Sequence, residues 1–229
     1  MKKILIVAAH PDDEILGCGG TIVRYRGLGV KVKVLFIGEG STCRYDTENT
    51  ETALKAVKYR NDCALKALRK LGVDDIEFYN LPCGKFDQIP IIKINKILEQ
   101  TIEKFQPDTI FTHSDKDANN DHKIIYKSTI IATRPCNKHV VPRLFCYEVL
   151  SSSEWSYSRP FSPNYFVQLN ESDLTQKWTA LQAYGEEMRA YPFPRSWEGV
   201  YNQAIQRGIQ SGVKLAEAFE LIREFNRCE

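Results

Sequence analysis

The 229-residue chain has no long hydrophobic run and no excess of either charge. No apolar segment reaches the length of about 18 residues that a membrane-spanning helix needs, and the N-terminal apolar run is too short for a signal peptide. Lys and Arg number 31 against 29 Asp and Glu, which leaves a net charge of +2, and no block of one sign occurs. This balance argues against a nucleic-acid surface and favours a small or polar partner.

Paired cysteine motifs are also missing. The seven cysteines are odd in number, scattered along the chain and without a CxxC pair. Such usage is typical of reduced thiols in a cytosolic protein, where most cysteines act as small buried apolar residues. We therefore predict a cytoplasmic protein without a membrane span.

No internal repeat, low-complexity tract or linker divides the chain. At this length we expect one domain over residues 1–229, with the C-terminal third, about 151–229, folded onto the sheet and shaping the substrate pocket. The polar loop at 38–52 is a candidate lid, and the aromatic C-terminal third makes a homo-oligomer plausible.

Short buried apolar runs alternate with amphipathic segments through the first two thirds of the chain. Apolar runs at 4–7 and 30–37 enclose a predicted helix at 19–28 that ends at Gly29, which forms a β-α-β unit. Further strands are predicted at 76–79, 108–112, 143–150 and 165–169, and helices at about 57–71, 90–105, 123–132, 172–188 and 196–207. A segment at 216–220 closes the chain. This rhythm predicts an α/β fold.

One histidine and three carboxylates follow the first strand, in the run His10-Pro11-Asp12-Asp13-Glu14. In open α/β sheets ligands bind beyond the carboxyl ends of the strands, so chemistry is expected here. His10 and Asp13 lie three residues apart across a turn and are close enough to share one ion. A catalytic zinc takes three protein ligands and leaves a position for water, so a third ligand must come from elsewhere.

A second polar cluster follows the strand at 108–112 and runs from His113 to His122. Because it begins at the same edge of the predicted sheet, either histidine could supply the third ligand. Three of the four histidines of the chain fall in these two clusters, and His139 receives no role.

The adjacent Asp12 and Asp13 can take different roles, since neighbouring side chains in an extended turn point to opposite sides. We predict that Asp13 is a metal ligand and that Asp12 is the general base for the attacking water. For the oxyanion, His113 is the first candidate and Arg134 or Arg195 are later ones. His113 could equally be a residue that only hydrogen-bonds within its loop.

The run Ala9-His10-Pro11-Asp12-Asp13-Glu14, followed by Gly17-Cys18-Gly19-Gly20 and a later Asp121-His122, resembles the PIG-L/LmbE-like family of zinc-dependent N-deacetylases. The resemblance extends along the chain through Arg60, Leu71-Gly72, Phe86-Asp87, Pro194-Arg195-Ser196 and Ala216-Glu217-Ala218-Phe219. Many members carry a histidine three residues before the third ligand, where this chain has Asn119.

This resemblance implies a Rossmann-like, mostly parallel sheet flanked by helices. It implies Zn²⁺, or another divalent transition metal, on His10, Asp13 and His122, with Asp12 as base. The implied reaction removes acetyl from an N-acetylated amino sugar, which could be nucleotide-linked, in bacterial glycan or related biosynthesis. The residues assigned to substrate binding are Arg60, Arg134, Arg195, Trp155 and Glu217. Arg60 and Arg134 could equally form salt bridges, Trp155 could be a core or interface residue, and only the resemblance suggests Glu217.

Three other interpretations remain open. A receiver-like phosphoacceptor module also ends a strand in two Asp, but it needs no histidine there, and His10 favours Zn²⁺ over an all-oxygen Mg²⁺ site. A nucleotide-binding interpretation of the glycines lacks both GxGxxG and GxxxxGK[ST]. An inactive, metal-free sugar-binding homologue is the third, because Asn119 could signal lost activity.

Overall fold

The computed structural model describes residues 1–47 and 50–225, which form one seven-stranded sheet with helices on both faces. The strands are β1 Lys3–Ala8, β2 Lys31–Gly38, β3 Asp75–Leu81, β4 Thr109–His113, β5 Arg143–Tyr147, β6 Tyr165–Leu169 and β7 Leu215–Glu224. The α-helices are α1 Asp13–Gly27, α2 Glu51–Lys70, α3 Ile91–Phe105, α4 Asn120–Ala132, α5 Glu171–Leu181 and α6 Trp197–Ser211. Short 3₁₀ turns occur at Thr42–Arg44, Phe86–Gln88, Ser153–Trp155 and Gln182–Glu187.

The strand order is β3-β2-β1-β4-β5-β7-β6. The first five strands of this order run parallel, and β7 pairs antiparallel with both β5 and β6. The predicted α/β fold with a mostly parallel, Rossmann-like sheet is confirmed. The strand order reverses at β1 and β4, so their carboxyl ends, at Ala8 and His113, meet at the edge where ligands bind in such folds.

Alternate side chains of β1 divide the core into two layers. Ile4 and Ile6 pack with buried residues of α1, α2, α5 and α6. Leu5 and Val7 point to the other face and pack with Ile94 of α3 and other residues of α3 and α4. Burial on both faces explains why β1 is a continuous apolar run rather than an alternating one.

Helix α1 starts at Asp13, six residues before the predicted start at Gly19. Asp13 and Glu14 occupy its first turn, where carboxylates are favoured by the helix dipole. Gly17, Gly19 and Gly20 lie inside this helix, where they allow neighbouring side chains to pack closely against it. A side chain at Gly17 would overlap the ring of Tyr147.

The last third of the chain also departs from the expected pattern. Helix α5 is capped by Asn170 and Asp173 in a capping box rather than by Ser172, and it ends at Leu181, well before Met188. The segment predicted at 216–220 is part of the ten-residue strand β7, which inserts between β5 and β6. In the described part of the chain, no helix combines the length and apolar character needed to cross a bilayer. Residues 48–49 of the predicted lid and 226–229 of the C-terminal third lie outside the described residues.

Candidate metal centre

His10, Asp13 and His122 converge at the edge formed by β1 and β4. His10 follows β1, Asp13 opens α1, and His122 lies in the first turn of α4. Oδ2 of Asp13 lies 3.6 Å from Nδ1 of His10 and 3.4 Å from Nε2 of His122. One potential ligand atom from each residue lies within 4.8 Å of the others, and all three residues are buried. The fold thus brings together the three residues predicted as metal ligands.

Two further aspartates orient the two histidines. Oδ2 of Asp121 lies 2.9 Å from Nε2 of His10, and Oδ2 of Asp117 lies 3.2 Å from Nδ1 of His122. These contacts leave Nδ1 of His10 and Nε2 of His122 facing Asp13. A carboxylate on the far nitrogen of each histidine is the usual arrangement around a protein-bound metal ion. We missed these roles in the sequence, although the spacing of Asp117 and Asp121 around Asn119 could have indicated them.

Each orienting aspartate is held by its own set of donors. Asp117 accepts hydrogen bonds from the hydroxyls of Ser152 and Ser153. Asp121 accepts hydrogen bonds from the backbone N–H of Gly84 at 2.7 Å and of Phe86 at 3.2 Å. Both carboxylates are therefore fixed by loops from different parts of the sheet edge, which fixes the histidine rings in turn.

Asn119 is the N-cap of α4. Its side chain accepts a hydrogen bond from the backbone N–H of Asp121 at 2.9 Å, and its own N–H donates to Oδ1 of Asp117 at 2.8 Å. Asn119 therefore links the loop that carries Asp117 to the first turn of α4, which carries Asp121. This placement gives a structural role to the position where many members of the resembled family carry a histidine.

The charges and unpaired atoms of this cluster fit a cation. Burial opposes ionisation of Asp13, but His122 and His113 hold its pKa well below the usual range. Burial likewise opposes protonation of His122, yet the carboxylates of Asp13 and Asp117 raise its pKa to about 10. Both ring nitrogens of His122 are buried without a hydrogen-bond partner among the described residues, and Nε2 is the one that lies 3.4 Å from Asp13. Two imidazole nitrogens and one carboxylate form a typical catalytic zinc set, so these residues fit Zn²⁺.

Asp12 is paired with two arginines rather than with the histidines of the cluster. Its backbone φ is +122°, a strained value for a residue with a side chain. Oδ2 accepts hydrogen bonds from Nη2 of Arg60 at 2.8 Å and from Nη1 of Arg195 at 2.5 Å. Burial raises the pKa of Asp12, and the two guanidinium groups oppose that rise. Asp12 and Asp13 thus point to opposite sides, as the sequence predicts.

Glu187, in the 3₁₀ turn after α5, pairs with the two arginines that contact Asp12 and with a third arginine. We call these four residues the arginine cluster. Glu187 forms ion pairs with Arg60, with Arg195 at 3.5 Å and with Arg44 at 2.7 Å. Nothing in the local sequence around Glu187 indicates this role, because the three arginines come from distant segments. The arginine cluster places Arg60 and Arg195, two of the predicted substrate residues, directly beside Asp12.

The oxyanion role predicted for His113 does not fit its environment. His113 is 0% exposed and its ring stacks on that of His122, with ring centroids 3.9 Å apart. Nε2 accepts a hydrogen bond from the backbone N–H of Ala9 at 2.8 Å and lies 3.1 Å from the hydroxyl of Tyr147. Burial lowers the pKa of His113 well below its usual value. The residue is a neutral support behind the cluster, out of reach of a substrate.

Arg134 lies at the opposite end of α4 from His122. The helix spans Asn120–Ala132, a length of about 20 Å, and Arg134 follows it. Its Nε donates to the carbonyl oxygen of Ile131, and the side chain is exposed. Arg134 therefore lies apart from the candidate ligands, and its contact with the substrate or the oxyanion stays an untested prediction.

Glu217 also lies outside the cluster and serves the packing of α1. Its carboxylate accepts hydrogen bonds from the backbone N–H groups of Gly20 at 2.9 Å and Thr21 at 2.7 Å. It forms a buried ion pair with Lys177 at 2.7 Å, and Lys177 also donates to the carbonyl oxygen of Leu16. These contacts give Glu217 a structural role, and the substrate role predicted for it stays untested.

Trp155 ends the 3₁₀ turn that begins with Ser153, a hydroxyl donor to Asp117. The indole is 49% exposed. This places an open aromatic face on the segment next to the cluster, so sugar stacking by Trp155 stays a prediction.

The fold and site together define an α/β protein with a buried His-Asp-His centre, oriented by two carboxylates, at the carboxyl edge of its sheet. Residues 5–133 match the family described as PIG-L: GlcNAc-PI de-N-acetylase. The match covers more than half of the chain, and the chain belongs to this family. The resemblance seen in the sequence is confirmed, and the receiver and nucleotide-binding interpretations are set aside.

Relatives and solved structures extend the likeness over the rest of the chain. YaiS of Escherichia coli, described as an uncharacterized deacetylase, is 25% identical over 191 residues, which are 80% of this chain and 90% of YaiS. The N,N'-diacetylchitobiose deacetylase from Pyrococcus horikoshii superposes with a TM-score of 0.75 at 22% identity, covering 97% of this chain and 84% of that one.

One structural neighbour performs different chemistry. The 4-carboxy-2-hydroxymuconate hydratase from Pseudomonas putida superposes with a TM-score of 0.77 at 23% identity, covering 100% of this chain and 98% of that one. The fold alone therefore does not decide the reaction, which has to be argued from the site.

Proposed function

We propose that the protein is a zinc-dependent N-deacetylase that hydrolyses the acetamide of an N-acetylated amino sugar, free or nucleotide-linked. The observation that carries the proposal is the convergence of Nδ1 of His10, Nε2 of His122 and Asp13, with Asp12 next in sequence to Asp13. The family description and the diacetylchitobiose deacetylase support an amide on an amino sugar as the substrate.

His10, Asp13 and His122 would hold the ion. Zinc bound there supplies Lewis-acid polarisation of a carbonyl and lowers the pKa of water. Asp121 and Asp117 would hold the two imidazole rings in place, so that Nδ1 of His10 and Nε2 of His122 face the ion.

Asp12 is the proposed general base. It would take the proton of the attacking water at its carboxylate and later pass a proton to the leaving amine. Burial, which raises its pKa, favours this proton uptake. Arg60 and Arg195 position the carboxylate through their contacts with Oδ2.

Arg195 is the proposed partner of the developing oxyanion, in place of the buried His113. It is the more exposed of the two arginines, with 14% of its side chain accessible against 8% for Arg60. Its Nε is fixed by the carbonyl oxygen of Leu150 and the hydroxyl of Ser151. A guanidinium held in this way stabilises negative charge that develops beside it.

Two variants and one substrate panel test the proposal. His122→Ala should lose bound zinc, measured by metal analysis of the purified protein, whereas Asp12→Asn should keep zinc and the fold while losing most turnover. Asp74→Asn, at an exposed aspartate between α2 and β3, is the matched control and should behave like the wild type. Free-amine release is measured over UDP- and CMP-linked N-acetyl sugars and unlinked N-acetyl amino sugars.

Two results would contradict the proposal. Equal zinc content in the wild type and His122→Ala would remove the metal site. Zinc binding without amine release from any sugar would favour the inactive sugar-binding interpretation.

A cytoplasmic location, one domain and a homo-oligomer stay predictions.

A further inference from the structure

Two cysteines far apart in the sequence meet beside the candidate metal centre. Cys43 lies in the 3₁₀ turn Thr42–Arg44, and Cys83 follows β3. Their Sγ atoms are 3.1 Å apart, and the thiol of Cys83 donates to the sulfur of Cys43. Cys43 is exposed to solvent, whereas Cys83 is buried.

One carboxylate holds both cysteine-bearing segments. Glu39 accepts hydrogen bonds from the backbone N–H of Ser41 at 2.6 Å and of Thr42 at 3.0 Å, immediately before Cys43. It also accepts the backbone N–H of Cys83 at 2.7 Å. The proximity of the two sulfurs is thus fixed by buried backbone contacts and does not depend on the rotamer of an exposed side chain alone.

We propose that Cys43 and Cys83 form an oxidative-modification site, at which a peroxide converts the two thiols into a reversible disulfide beside the metal centre. The pairing goes beyond the proposed deacetylation and does not depend on it. A thiol pair that is reduced in the cytosol and oxidised transiently is the form in which cytosolic disulfides usually occur.

The reaction balances with the peroxide as the oxidant. The Cys43 thiolate attacks one peroxide oxygen, the O–O bond breaks, and Cys43 becomes a sulfenic acid. The leaving hydroxide takes up the proton that Cys43 lost on ionisation and departs as water. The sulfur of Cys83 then attacks the sulfenic sulfur, the S–O bond breaks, and a second water leaves. Two thiols are oxidised to one disulfide, and hydrogen peroxide is reduced to two waters. Added dithiol restores the thiols.

The surroundings favour Cys43 over the other described cysteines as the site of first attack. The hydrogen bond from Cys83 lowers the pKa of Cys43 to about 6, so its thiolate is populated at neutral pH. Cys18, Cys63 and Cys146 are buried, and burial raises the pKa of all three thiols. Cys136 is exposed and serves as a control.

The disulfide would join segments on both sides of the centre. Arg44, next to Cys43, pairs with Glu187 in the arginine cluster at 2.7 Å. Gly84, next to Cys83, donates to Asp121, which orients His10. Oxidation would therefore link, through one covalent bond, the segment whose Arg44 pairs with Glu187 and the segment whose Gly84 holds Asp121.

A second metal ion is the competing use of Cys83, whose sulfur lies within 4.8 Å of ligand atoms of His10 and Asp121. The carboxylate of Asp121 is already engaged. Its Oδ1 accepts the N–H of Phe86, and its Oδ2 accepts the N–H of Gly84 and faces His10. The direct sulfur–sulfur contact therefore favours the disulfide.

The test uses the full chain with Cys228→Ser, which removes a cysteine outside the described residues. Reduced protein is treated with a small excess of hydrogen peroxide, alkylated and mapped by peptide mass spectrometry. We expect the mass to fall by two hydrogen atoms, Cys43 and Cys83 to lose alkylation together, and dithiothreitol to reverse both changes. Cys136→Ser in this background should react in the same way, whereas Cys83→Ser should show no loss of two hydrogens.

Two outcomes would overturn the proposal, and neither involves deacetylase activity. The first is peroxide treatment that leaves Cys43 alkylatable or drives it to sulfinic acid while Cys83 stays free. The second is added zinc that protects Cys43 and Cys83 together from alkylation and peroxide in proportion to an extra bound ion, which would assign the pair to a metal.

Discussion

Replacing Asp121 with Asn should weaken zinc binding about 10- to 100-fold, because the carboxylate orients His10 from outside the ligand set. Oδ2 of Asp121 lies 2.9 Å from Nε2 of His10, and the Asp121 side chain is 1% exposed. A water molecule therefore cannot replace the carboxylate without a free-energy cost. Asn keeps the size of the side chain but places an uncharged amide at this contact.

The magnitude follows from which contacts change on binding. The hydrogen bonds from Gly84 and Phe86 to Asp121 do not involve a candidate ligand, so we expect their loss to lower stability but to cancel in the binding free energy. The contact with His10 does not cancel, since the ring becomes a stronger donor when its other nitrogen binds a cation. A 10- to 100-fold loss corresponds to about 1.4–2.7 kcal/mol, consistent with one charged hydrogen bond.

Metal-free protein would be titrated with zinc in competition with a chromophoric chelator, and urea unfolding would be measured in parallel. Asp115→Asn is the matched control, because Asp115 lies in the loop that precedes α4 but pairs with Arg159 at 2.8 Å. The reasoning is refuted if Asp121→Asn loses stability but binds zinc as tightly as the control.

Three further predictions concern stability and can be measured by urea unfolding of metal-free protein. Burial raises the pKa of Glu14 from 4.5 to about 8, so the folded state binds the extra proton and stability falls as pH rises through this window, by up to about 1.4 kcal/mol per pH unit. Glu14→Gln should flatten that slope, and an unchanged slope would contradict the shift. Lys177→Met leaves the carboxylate of Glu217 buried without its cation and should cost about 3–5 kcal/mol, whereas a loss typical of a surface lysine would contradict the buried pair. Gly17→Ala drives a methyl group into the ring of Tyr147 and should cost about 1–3 kcal/mol, so an unchanged urea midpoint would argue against this packing.

The strands and helices of the first two thirds of the chain could be predicted because their signals are local. The run Ile4–Val7 and the apolar faces of α2 and α3 carry the periodicity of their own elements. Strand β7 could not be predicted as an inserted antiparallel strand. Its pairing with β5 and β6 joins residues dozens of positions apart, and no local pattern encodes that register.

The candidate ligands could be placed for the same reason that the fold could. Polar residues after two strands must meet if the strands are adjacent and parallel, and β1 and β4 are. The partners of those ligands could not be placed. Glu187 reaches Arg44 and Arg60 only because the turn after α5 packs on α2, and Glu217 reaches α1 only because β7 lies in the sheet.

The run from His10 to Glu14, with the later Asp121-His122, was sufficient to indicate the candidate metal ligands and the family, because residue type and spacing at a strand end are chemical information that the chain carries locally. Which predicted residues stand at the site was decided by tertiary structure alone. In the folded chain, His113 is buried behind the ring of His122, and Arg195 contacts Asp12. Arg134 and Glu217 make their contacts apart from the candidate ligands. Burial and long-range pairing depend on the whole packed chain, and these properties separate a residue that supports a site from one that acts in it.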